Sequence, residues 1–98
     1  MKHIFNKLLY DTEKSNLFYT EKIDIPYIDF DLKIDTYYYK TKGGRFFNII
    51  IEHTTYKNMS PPTTHEYFRF TNVDELIYTL QNNNKWDIIE SVFEIEEA

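Results

Sequence analysis

Asp35-Thr36-Tyr37-Tyr38-Tyr39-Lys40-Thr41-Lys42-Gly43-Gly44-Arg45-Phe46-Phe47-Asn48-Ile49-Ile50-Ile51-Glu52 holds both glycines of the chain, side by side, between two runs of aromatic and β-branched residues. Such runs favour a pleated, half-buried surface, and paired glycines between them are a turn signal, so the stretch predicts a long β-hairpin. Two registers are open. A two-residue Gly43-Gly44 turn sets Asp35 opposite Glu52, a like-charge pair that costs stability. A three-residue loop ending with Gly44 in the left-handed conformation, as in a G1 bulge, puts Tyr37, Tyr39, Phe47, Ile49 and Ile51 on one face. The second is favoured, with that face as the core side and Tyr38, Lys40, Asn48 and Glu52 on the other.

Working outward, Asp11-Thr12-Glu13-Lys14-Ser15 is a turn cluster between Ile4–Tyr10 and Asn16–Glu21, which predicts a first hairpin. Lys22 to Asp31 contains Pro26 and reads as an irregular connection or an edge strand. Thr54 to Thr64 is a loop, because Pro61-Pro62 supplies two successive residues without an N–H. Glu66 to Phe70 reads as a last strand. Thr71 or Asn72 can cap a helix with carboxylates in its first turn, and Val73, Leu76, Ile77 and Leu80 recur at helical spacing up to about Gln81. Asn82-Asn83-Asn84 breaks it, and a second short helix follows from Lys85 to about Val92. The expected architecture is a single α+β domain over residues 1–98: an antiparallel sheet of four to five strands with one or two C-terminal helices on one face.

Ninety-eight residues give one core and no room for a deep cleft between lobes. Hydrophobic residues make up 42% of the chain, enough for a packed fold. There is no cysteine, hence no disulfide or thiolate metal site, and a cytoplasmic setting is the default expectation. The first residues lack the apolar core of a signal peptide, and no run is long enough to span a bilayer. A net charge of −5 disfavours direct binding to nucleic acid.

The residues that carry chemistry are sparse. His3, His53 and His65 fit no metal-ligand spacing, and the serines have no neighbouring histidine in a glycine-rich elbow. With both glycines committed to one turn, no phosphate-cradling loop remains. The expectation is a protein without catalysis, cofactor or metal. Charge distribution is more informative: Glu21 to Asp35 holds five carboxylates against two lysines, and Lys85 to Ala98 holds five against one. On one side of a sheet these segments form a negative stripe, and Asp29 and Asp31, about 6.8 Å apart if extended, imitate phosphate spacing. An ordinary solvated acidic face is the simpler alternative.

Leu9-Tyr10-Asp11-Thr12-Glu13-Lys14, the hairpin Tyr37 to Phe47 and the capped helix at Thr71 to Glu75 together resemble a group of small proteins carried by phages and mobile elements of low-GC Gram-positive bacteria. That group has a YDTE opening, a Y-K-T-K-x-G-x-F-F hairpin and an acidic helical end, and some members are anti-CRISPR inhibitors. This chain departs from it at Glu52–Tyr56 and the Pro61-Pro62 loop, where the group has a glycine-rich segment. The resemblance implies a non-catalytic inhibitor in the host cytoplasm whose partner is a CRISPR-Cas effector or other defence nuclease. Such effectors hold nucleic acid in cationic channels, so Asp24, Asp29, Asp31, Glu94, Glu96 and Glu97 are the candidate partner-binding residues, with Tyr27 and Tyr38 as aromatic anchors. The alternative is a structural or regulatory protein that homodimerises through its sheet face or an exposed edge strand.

Overall fold

The computed structural model describes residues 1–98. Six strands precede two helices: β1 (Lys2–Phe5), β2 (Leu8–Asp11), β3 (Asn16–Pro26), β4 (Phe30–Lys40), β5 (Phe46–Tyr56), β6 (Thr63–Phe70), α1 (Val73–Asn82) and α2 (Trp86–Val92). Strands β3-β4-β5-β6 form an antiparallel meander, while β1 and β2 pair only with each other. This is the expected α+β fold.

The central hairpin adopts the bulged register. Tyr39 stands opposite Phe47 and Asp35 opposite Ile51, so the Asp35/Glu52 clash never arises. Thr41 N–H donates to Arg45 O, Gly44 N–H donates to Thr41 O, and Gly44 has φ of 82°. That left-handed residue closes the loop, and glycine adopts it without a Cβ penalty.

Packing corrects the reading of a single core face. Tyr37, Tyr39, Phe47, Ile49 and Ile51 do share one face, but the helices lie on the other. Leu76, Leu80, Ile89, Val92 and Phe93 pack against Phe18, Tyr19, Tyr38 and Phe46. A bulge between Leu17 and Tyr19 turns Phe18 and Tyr19 together toward these helices, doubling the aromatic cover at the sheet's edge. Lys40 Nζ donates to Val92 O at 2.6 Å, satisfying a carbonyl at the C-terminus of α2 where a cation is favoured. Asn72 is the N-cap of α1, its side chain accepting from Glu75 N–H.

The opposite face is closed by the N-terminal hairpin, which sequence reading misplaced. Its turn is Asn6-Lys7, both at positive φ (50° and 61°), the geometry of a two-residue hairpin turn. Asp11 to Ser15 instead carries the chain across to β3. Asp11 organises that crossing: its Oδ1 accepts from Glu13 N–H and its carbonyl from Lys14 N–H. The docked hairpin stacks His3 on Phe68 at 3.9 Å and sets Tyr10 edge-on to Phe47, Phe68 and Phe70. One sheet therefore separates two clusters, helical and aromatic.

Both covers sit toward the Lys40/Phe46 end. The strands run on beyond them, giving a blade of 53 × 34 × 18 Å whose far end is the β3–β4 turn. No helix is long and apolar enough to cross a membrane.

Candidate binding surfaces

The far tip is built from Pro26 to Asp31. Tyr27 stacks on Phe30 with ring centroids 4.5 Å apart, and Phe30 in turn leans on Tyr56 at 6.3 Å. Tyr27 N–H donates to Phe30 O across the turn. Lys57, at the exit of β5, fastens the tip from the side: its N–H donates to Asp29 O, its Nζ to Tyr27 O at 3.0 Å, and Nζ lies 3.9 Å from Asp31 Oδ1. On this braced turn Ile28 is 91% exposed and Tyr27 45%. A large aliphatic side chain held in water at a projecting, fastened turn, with Asp29 and Asp31 beside it, can serve as an anchor for a pocket with a cationic rim.

The expected site residues do not converge. Tyr27, Asp29 and Asp31 meet at the tip, but Asp29 lies in the turn itself, not in an extended strand beside Asp31. Asp24 sits in β3 opposite Lys33, and its neighbour Lys22 stands opposite Asp35, so that face alternates in charge. Glu94, Glu96 and Glu97 follow α2 at the other pole, past the Lys40–Val92 contact. The nine residues from Asp31 to Lys40 along β4 place the tip carboxylates Asp29 and Asp31 about 30 Å from the C-terminal ones. No continuous negative stripe joins them.

Tyr38 belongs to neither pole. It lines a cleft of about 370 Å³ between the sheet and α1 with Glu21, Asn48, Arg69, Glu75 and Thr79. Burial pushes its phenol up, and the Glu21 carboxylate adds to that shift. Asn48, at the floor, accepts a hydrogen bond from Thr71 Oγ1 at 2.9 Å. The cleft mixes charges of both signs and its aromatic wall supports the helical core.

No group of three or more His, Cys, Asp or Glu side chains is placed to hold a metal. His53 lies 3.6 Å from Asp35 and 3.4 Å from Thr64 Oγ1, whereas His3 is taken up by its stack on Phe68. Ile28 was not singled out by sequence reading, although an isoleucine between Pro26 and Asp29, inside turn-forming residues, is a legible signal.

Fold and surfaces together define a class: an α+β meander, packed on both faces at one end and bare at the other. Compared with known proteins, the chain matches no family model, no curated protein and no solved structure.

Proposed function

We propose that this protein is a non-catalytic inhibitor of the phage and mobile-element kind, acting in the host cytoplasm by binding a bacterial CRISPR-Cas effector through the β3–β4 tip. The observation that carries the reading is Ile28, 91% exposed on a turn fastened by Lys57 and the Tyr27–Phe30 stack. A pre-ordered anchor avoids most of the entropy lost when a loop is immobilised on binding, which is what a small inhibitor needs. Asp29 and Asp31 flank the anchor, and a net charge of −5 favours approach to a cationic channel. The resemblance stated above selects the effector as the partner class.

The test is cleavage of target DNA by purified effectors, with binding measured across a salt series. Wild-type protein is expected to inhibit, and Ile28→Asp to weaken binding by about 30-fold or more, the scale of a central anchor. Asp29→Asn with Asp31→Asn is expected to flatten the salt dependence. Full affinity in Ile28→Asp refutes the tip as the anchor. Absence of binding to any effector by the wild type refutes the partner class.

A further inference from the structure

The β3 edge presents a self-complementary pattern. This strand has β4 on one side and nothing on the other. Because Tyr27 N–H points to β4, alternation along the strand turns the N–H and C=O groups of Ile25 and Ile23 inward and those of Asp24 and Lys22 outward. Lys22 and Asp24 also share one face, while Ile23 and Ile25 share the other and stand opposite Ile34 and Leu32. Ile23 is 42% exposed, and none of these four aliphatic residues belongs to the helical or the aromatic cluster.

We propose that two copies of this chain pair antiparallel through β3 about a twofold axis at Ile23, joining two four-stranded sheets into one of eight strands. Charge selects this register. Centred on Ile23, Lys22 of each copy faces Asp24 of the other, and the row across the joint reads Asp35, Lys22, Asp24, Lys33, alternating in sign throughout. Centred on Lys22 or on Asp24, the same strands set like charges opposite each other. On the other face Ile34, Ile23 and their two counterparts form one continuous aliphatic row.

Lysine and proline on an edge ordinarily discourage pairing. In this register Lys22 gains a carboxylate instead, and Pro26 falls at the end of the ladder opposite Thr20, where its missing N–H forfeits one bond per copy. The other free edge, β6, offers no equivalent. Its charges Glu66 and Arg69 are three residues apart, hence on opposite faces, and no antiparallel register of β6 with itself brings them together. Self-pairing through β3 rests on the edge groups and charges of Lys22 to Asp24 and not on the reading of the tip as an anchor.

Light scattering of the wild-type protein at low salt is expected to give twice the 12.0 kDa chain mass, with a dissociation constant that rises with salt. The chain has no cysteine, so single-cysteine variants read the register directly. Oxidised Ile23→Cys is expected to cross-link to itself. Glu21→Cys and Ile25→Cys are expected to cross-link only when mixed, and Leu17→Cys, exposed on the same strand, not at all. Lys22→Asp is expected to raise the dissociation constant about tenfold or more, with circular dichroism confirming the fold. A monomeric mass at all concentrations overturns the proposal, as does a dimer in which Leu17→Cys cross-links as readily as Ile23→Cys.

Discussion

Phe47→Ala is the sharpest probe of how the molecule holds together. Phe47 is 0% exposed, stacks on Tyr39 at 5.1 Å and Phe68 at 5.5 Å, and meets Tyr10 edge-on at 5.7 Å. A buried phenylalanine withdraws about 150–250 Å² from water, an upper limit of roughly 4–6 kcal/mol at ~25 cal/mol per Å². Alanine keeps the Cβ and leaves a cavity, which brings the expected loss to about 3–5 kcal/mol. Domains of this size have only about 5–15 kcal/mol in hand, and each kcal/mol moves Tm by roughly 4–8 °C. Urea titration followed by circular dichroism should therefore show the midpoint falling by that loss divided by the slope, with the slope itself unchanged. Phe47→Leu, expected to cost about 1–2 kcal/mol, gives a measurable transition if the alanine variant is too unstable. The contribution of the N-terminal hairpin follows from a cycle with Tyr10→Ala, whose coupling to Phe47 is expected at about 0.5–1.5 kcal/mol. A loss below about 1 kcal/mol, or no coupling, refutes the docking of that hairpin over the sheet.

The two glycines make a second, internally controlled test. Gly44→Ala meets no atom within 4 Å but must hold φ near 82°, so it should cost about 1–2 kcal/mol, whereas a Cβ at Gly43 meets the end of the flexible Arg45 side chain at 3.2 Å and Thr41 Oγ1 at an ordinary 3.8 Å and should cost less. Equal losses in thermal unfolding refute the G1 bulge. Alkaline pH gives the third. Burial raises the phenols of Tyr38 and Tyr39, and Tyr67 is raised first by its 2.7 Å hydrogen bond to Glu52 and then by burial. A folded value above the unfolded ~10 means stability fully present below that pH and lost as pH rises through the folded values. Phenolate absorbance should show three tyrosines ionising late, with Glu52→Gln moving one of them earlier. Ionisation of Tyr38, Tyr39 and Tyr67 at or below ~10 refutes the assignment.

Local signals in the chain determined the central hairpin, its register, the capped helix α1 and the short helix α2, because each rests on neighbours within a few residues: Gly44 at positive φ, Asn72 at the cap, apolar side chains every three or four positions. The N-terminal hairpin escaped because Asn6-Lys7 makes the turn that glycine usually makes, while Asp11 to Ser15 resembles a turn yet serves as a crossing. Strand alternation sorts residues into two sets but does not say which set is buried. Only the tertiary structure decided that both are, under helices on one side and the β1–β2 hairpin on the other. The same limit applies to charge. Composition fixes how many carboxylates there are, but eleven-residue strands carry Asp29 and Asp31 about 30 Å from the C-terminal carboxylates, and exposure singles out Ile28 instead. Proximity across a sheet is a property of chain path, and the path is set by long-range packing that no window of sequence contains.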